Sequence, residues 1–289
     1  MTDKSTTATP RRTEGLGTDP VTALPEKMAT GPTAAIFAEI RKVMQIPLLT
    51  SIWRTLVSID RGLPTVWAAT KPIYLSGQPD AALGRLSRAD IFPVPAPLGA
   101  DQLADAGIDV EELRAALGII DAYTRSNSLN MMALSGLVLS PVGRSGVDSV
   151  PPAAPILPNP PELLEKSEIA PDVWMRLERV NRLGAGANSR SVATLWRHLA
   201  HYPGLLRLIN HAFAPLQSDG TIDRAIQEVF EESRAEGARL AHLRGDVSAI
   251  PDPATEMVAT YVAGPSGVAR MVTLGHGLAR WLRRSAPAG

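Results

Sequence analysis

The chain has 289 residues, with 29 basic and 29 acidic side chains and no cysteine. The balanced charge gives no long-range field to draw nucleic acid or an anionic membrane. Without cysteine there can be no disulfide, no thiolate catalysis and no Cys-ligated zinc.

Residues 1–31 are rich in Thr, Pro and charge and poor in large apolar side chains, which reads as a disordered tail. Arg11-Arg12 is not followed by a hydrophobic region, and no signal-peptide pattern is visible. Helical periodicity starts near Pro32, with Ile36, Ile40, Val43 and Met44 on one face. Thr50 or Ser51 can cap the next helix, which carries Trp53, Leu56 and Val57. Another helix runs from Pro64 to Tyr74, where Pro72 ends or kinks it. A short helix over Asp80–Leu86 and a Pro/Gly-rich loop over Phe92–Gly99 follow. From about Asp109 a helix begins with Glu111 and Glu112 in its first turn and Leu113, Leu117, Ile120 and Tyr123 as its apolar face. Asn127-Ser128 reads as a cap-like break before a last helix with Leu129, Met132, Leu134 and Leu137. The longest apolar run, Leu129 to Val142, is interrupted by polar residues and Gly. It falls short of the ~18 apolar residues of a membrane span, so the expectation is a soluble, cytoplasmic chain.

Seven prolines between positions 141 and 161 mark a stiff connector. Beyond it, a helix from Pro171 carries Val173, Trp174, Leu177 and Val180 and ends at Gly184–Gly186. Ser189 or Ser191 can cap the helix of Trp196, and Asp219–His242 reads as one long amphipathic helix with Glu228, Glu231, Glu232, Arg234 and Glu236 on its solvated side. Ala254–Val262 and Val268–Trp281 close the chain.

The stretch Trp53–Gly77 recurs as Trp196–Gly220, 25 residues each, without a gap, at an offset of 143. Seven positions match: Trp53/Trp196, Arg54/Arg197, Leu56/Leu199, Leu63/Leu206, Ala69/Ala212, Pro72/Pro215 and Gly77/Gly220. Average composition gives roughly two such matches. Further along, Met131 and Leu134 match Met271 and Leu274 at an offset of 140. No segment sustains period-two alternation. The expectation is therefore an all-α chain of two tandem helical repeats, 32–142 and 162–289, joined by a linker at 143–161 and packed as a pseudo-twofold intramolecular dimer.

Two helical halves, each with a Trp/Arg–Leu–Pro helix pair, and the stretch Arg125-Ser126-Asn127-Ser128-Leu129-Asn130 resemble the group I 2-haloacid dehalogenases, which act on both stereoisomers of 2-halocarboxylic acids. The resemblance covers roughly residues 32–284. It implies an active site between the halves, where an Asp activates a water that displaces halide without a covalent intermediate and an Asn further along holds water or substrate. Asn210 stands where that Asn is implied. The Asp is implied at about Leu195 or Trp196, and no Asp or Glu occurs from Ser189 to Gln217. Two functions are thus in play: a non-catalytic descendant that binds a small carboxylic acid or serves as a helical scaffold, or a hydrolase of the dehalogenase type or a relative using another base.

Trp53, Trp67 and Trp196 can line the pocket or simply pack the core. Arg54 and Arg197 can hold a carboxylate by a bidentate fork or form salt bridges at a helix surface. Asn127 and Asn130 can offer amides to the pocket, though Asn127 suits a helix cap. Asn210 pairs with Trp67 across the repeat and is expected to face the cleft opposite it. His198 and His201 have a spacing compatible with metal, but a helix-surface pair is the default and no metal or cofactor is assigned. The Gly-rich stretch Leu183–Ser189 lacks the lysine and preceding strand of a phosphate loop. Partners reduce to a small carboxylic acid, with no nucleic acid or membrane, and a homodimer is compatible with the layout.

Overall fold

The computed structural model describes residues 23–143, 157–185 and 192–286. All regular structure among them is helical. The first half comprises α1 (Gly31–Met44), α2 (Ser51–Thr55), α3 (Gly62–Leu75), α4 (Gln78–Leu86), α5 (Ala100–Asp105) and α6 (Val110–Val138). The second comprises α7 (Pro171–Val180), α8 (Thr194–His198), α9 (Pro203–Ser218), α10 (Thr221–Leu240), α11 (Asp252–Val262) and α12 (Arg270–Ser285). No described helix is long and apolar enough to cross a membrane.

The axis of the molecule is α6. A reciprocal capping box starts it: Asp109 Oδ1 accepts from the Glu112 amide at 2.8 Å, and the Asp109 amide donates to Glu112 Oε2 at 3.0 Å. Every residue from Ala122 to Leu137 is buried, because α3, α4, α10, α11 and α12 surround the helix. A helix enclosed on all sides is a core helix rather than an amphipathic one. Two glycines allow the close crossings. A Cβ on Gly237 of α10 would stand 2.4 Å from Ser135 Cβ, and one on Gly275 of α12 would stand 2.2 Å from Thr124 Oγ1.

The expected break at Asn127-Ser128 does not occur, since α6 runs through it. Asn and Ser leave helices when their side chains capture local backbone. Here the neighbouring helices supply other partners. Ser128 Oγ meets His276 Nε2 at 3.0 Å, and Arg125 donates to the Met44 carbonyl and pairs with Asp80. Pro72 does not end α3 either, which continues to Leu75. One turn before it, the Ala69 carbonyl accepts from the Gly245 amide at 2.9 Å. Ser189 and Ser191 lie outside the described residues, and the residue at the N-cap of α8 is Ala193. Glu236, expected on the solvated side of α10, is buried and held by Arg85 and Arg239. The amphipathic period fixed which residues share a face but not that α4 would cover this part of it.

The two 25-residue stretches fold as the same series of elements. In the first, α2 passes through a 3₁₀ turn at Leu56–Ser58 into α3, then through Gly77 into α4. In the second, α8 passes through a 3₁₀ turn at Leu199–His201 into α9, then through Gly220 into α10. Gly77 and Gly220 both take left-handed backbone, at φ 69° and 77°, where a side chain would be strained. Residues 23–30, within the stretch expected as a tail, are docked. The Leu24 amide donates to the Arg54 carbonyl, and Glu26 accepts from the Leu49 amide and pairs with Arg41. Residues 161–164, at and just after the end of the linker, are stitched to the second half by Arg197, His198 and His201.

Candidate functional site

Two polar constellations lie where the halves meet, one closed and one open. The closed one centres on Asn130 of α6. Its Oδ1 accepts from Trp53 Nε1–H at 3.1 Å and from the Tyr74 hydroxyl at 2.9 Å, and its Nδ2 donates to Thr50 Oγ1 at 2.8 Å. An indole N–H can only donate, so Trp53 fixes which end of the amide carries oxygen. Trp67 stands edge-on to Trp53, with ring centroids 5.6 Å apart, and donates through Nε1 to Glu39 at 2.6 Å. From the second half, Tyr261 of α11 brings a fully buried hydroxyl near Asn130 and Thr50. It makes no well-aligned hydrogen bond there. Burial pushes the Tyr74 and Tyr261 phenols upward, so both stay neutral. The groups about Asn130 can orient dipoles, but none moves a proton near neutral pH.

The open constellation is a cleft of about 680 Å³, walled by Leu48, Leu49 and Arg54 of the first half, Tyr123 of α6, the segment 159–168, and His198 of α8. The Tyr123 hydroxyl and His198 Nδ1 are 2.8 Å apart, and His198 Nε2 is 3.1 Å from the Pro161 carbonyl. A carbonyl only accepts, so Nε2 carries the hydrogen and Nδ1 accepts from Tyr123. Burial holds the His198 pKa down to about 4; the Pro161 carbonyl opposes this, and the neighbouring His201, Arg197 and Arg54 add to the lowering. The ring is therefore neutral at pH 7. Among the lining carboxylates, Glu162, Glu165 and Glu168 are exposed, and Glu26 is engaged by Arg41 and the Leu49 amide. The Lys27 ammonium beside Glu162 holds that carboxyl below its ordinary value.

Of the residues singled out from sequence, Trp53, Trp67 and Asn130 meet in the closed constellation, and Arg54, only 7 % exposed, lines the cleft. Asn127 is buried in the interior of α6 rather than capping a helix. Trp196 is fully buried in α8. Arg197 is turned to the segment just after the linker, where its Nη2 donates to the Leu164 carbonyl at 2.6 Å. Asn210 is half-buried on α9 and hydrogen-bonds no described residue, whereas Trp67 sits in the aromatic cluster of the first half. No hydrogen bond among the described residues links the two. His198 is buried, not half of a surface pair, and among the described residues no three His, Asp or Glu side chains could hold a metal ion. Sequence reading missed the Tyr123–His198 pair and the roles of Thr50, Tyr74 and Tyr261. Tyr123 sits on the apolar face by period, and nothing in the spacing announced that a helix 75 residues away would meet its hydroxyl.

Helices assembled in this way define the fold of the helical 2-haloacid dehalogenases. The chain is similar to a D-2-haloacid dehalogenase mutant solved in complex with D-2-CPA, at a TM-score of 0.71 and 12 % identity over 94 % of this chain and 98 % of that one. It is similar to a D-2-haloacid dehalogenase in complex with L-LA, at a TM-score of 0.69 and 12 % identity over 91 % and 95 %. A third D-2-haloacid dehalogenase mutant gives 0.66 at 13 % identity over 89 % and 95 %. No family model and no curated protein matches the sequence. The likeness establishes a dehalogenase-like helical fold.

Proposed function

We propose that this chain is a diverged group I dehalogenase-like protein, two copies of one helical unit packed as an intramolecular pseudo-dimer, that binds a small carboxylic acid in the cleft between its halves without the family's water-activating base. The observation that carries this reading is the make-up of the cleft. A guanidinium, a phenol and a neutral imidazole converge there, while each lining carboxylate is exposed or already engaged. A largely buried guanidinium binds a carboxylate more strongly than an exposed one, because less solvent screens the pair. The helices that would carry the base offer Leu195 and Trp196, both buried and apolar. A missing general base costs about 10²–10⁴-fold in rate.

The test uses the purified full chain. Neither enantiomer of 2-chloropropionate should release chloride. Calorimetry should detect binding of 2-chloropropionate that is lost in Arg54→Met, with circular dichroism unchanged. Halide release refutes the base-less reading, and undiminished binding in the Arg54 variant refutes the site.

The Tyr123–His198 pair favours a second reading, hydrolysis with the neutral imidazole as base and the phenol as relay. A pKa of about 4 makes that imidazole a weak base at neutral pH, which is why it ranks second. Under it, chloride release would occur and would vanish in both Tyr123→Phe and His198→Gln.

A further inference from the structure

Another cavity, of about 680 Å³, opens where the start of α6 meets the end of α12. Its walls come from the Pro97-Leu98 loop, α5, the turn at Gly107, the first turn of α6 and the last residues of α12. It shares no residue with the cleft of Arg54, Tyr123 and His198. Its volume lies in the range that holds a small organic molecule.

The interior is apolar. Gly107 takes left-handed backbone at φ 66° between α5 and α6, and a Cβ there would meet nothing within 4 Å. Leu103 and Ile108, on either side of that turn, are buried, and Leu113 of α6 is buried beside them. Val110 lines the same space and is 39 % exposed. Ser285 carries the one hydroxyl among the lining side chains. Its oxygen accepts from the Leu98 amide at 2.8 Å and its hydrogen goes to the Trp281 carbonyl at 2.9 Å. A polar side chain entering here would lose its water and find no free hydroxyl donor in exchange.

Charge is confined to three lining side chains, Asp109 and Glu112 of α6 and Arg284 of α12. The capping box engages one oxygen of each carboxylate and leaves the other open. Neither carboxylate forms an ion pair with a described residue, and Arg284 neither pairs nor hydrogen-bonds with one. Opposite charges thus line one cavity without meeting. An apolar acid would answer Arg284 alone, and an apolar amine would answer the carboxylates alone. A zwitterion answers both.

We propose that this cavity binds an α-amino acid with a large apolar side chain, the side chain over Leu103, Ile108 and Leu113, the carboxylate on Arg284 and the ammonium on Asp109 and Glu112. A guanidinium pairs with a carboxylate through a fork of two N–H donors. Exposed ion pairs contribute little by themselves, so affinity also requires burial of the side chain. A ligand held by α6 and α12 together joins the two halves.

The test is calorimetric titration of L-phenylalanine into the full chain. Binding should be about tenfold or more tighter than that of phenethylamine, which lacks the carboxylate, of 3-phenylpropionate, which lacks the ammonium, and of glycine, which lacks the side chain. Arg54→Met should leave L-phenylalanine binding unchanged, which separates this cavity from the cleft proposed for small acids. The 3-phenylpropionate titration uses that variant, so that the cleft does not compete. Arg284→Met should weaken L-phenylalanine about tenfold and leave phenethylamine unaltered. Asp109→Asn keeps a capping side chain, removes one charge, and should weaken L-phenylalanine and phenethylamine alike. Both residues are exposed, so each variant should keep the circular dichroism of the wild type. No binding of L-phenylalanine, equal binding of any of the three analogues, or full binding in both cavity variants overturns the proposal.

Discussion

The helix α6 and the pair α11–α12 align in sequence at an offset of 140, yet one is continuous and the other is broken. At the offset of 140, the interval between Val262 and Arg270 maps onto residues 123–129, within the buried run of α6. In the second half Gly264 is extended, Pro265 supplies no amide, and Gly267 leaves helical geometry at φ −85°, ψ −127°. In the first half the same interval reads Tyr123-Thr124-Arg125-Ser126-Asn127-Ser128-Leu129 and stays helical. Polar side chains do not break a helix when neighbouring helices answer their hydrogen bonds. Missing amides do.

The largest effect should come from moving the break. Ser128→Pro removes a backbone hydrogen bond in the middle of α6 and the contact with His276, and should cost about 4 kcal/mol or more in urea denaturation. A loss below about 2 kcal/mol would mean that α6 tolerates the second-half geometry. Next, Asn130→Leu strands the Trp53 and Tyr74 donors and should cost about 3 kcal/mol, with little change if the amide merely fills space.

The third prediction uses pH. The folded pKa of His198 is about 4, below its unfolded value of 6.5, so the unfolded chain binds the extra proton between them. Stability is therefore fully present above pH 6.5 and falls as pH drops toward 4, by on the order of 2–3 kcal/mol from this residue. His276 is lowered in the same sense, by desolvation first. His198→Phe should flatten the slope between pH 7.5 and 4.5 without removing it, and an unaltered slope would contradict the assignment. Smallest is Pro265→Ala. The break already lacks the hydrogen bonds a proline would cost, so the change should stay under about 1 kcal/mol.

What the sequence disclosed was set by local rules. The gap-free repeat pointed to a shared series of helix, turn and helix, and the matched Gly77 and Gly220 both take left-handed backbone in the structure. The start of α6 near Asp109 was legible for the same reason, since its capping groups are only three residues apart. What stayed hidden depended on partners distant in sequence. Glu236 looked solvated until α4 covered it, and His198 looked like a surface residue until residues 159–168 folded over it. Asn127-Ser128 looked like a break because a single helix cannot show what surrounds it. For the candidate site, Arg54 was visible as a guanidinium in a repeated motif, while the Tyr123 hydroxyl was concealed within an apolar period.

The enclosure of Ala122–Leu137 sets how this molecule breathes. Amides in that run are hydrogen-bonded within α6 and covered on every side, so solvent reaches them only when the helices of both halves separate together. Their deuterium uptake reports the free energy of complete opening, whereas amides at Leu24 and in short 3₁₀ turns such as Glu26–Met28 exchange through local fraying. Because one helix belongs to the packing of both halves, neither half has a private slowest set of protons. Native-state exchange should return a single limiting value for the first and second halves, as expected of one cooperative body rather than two tethered ones.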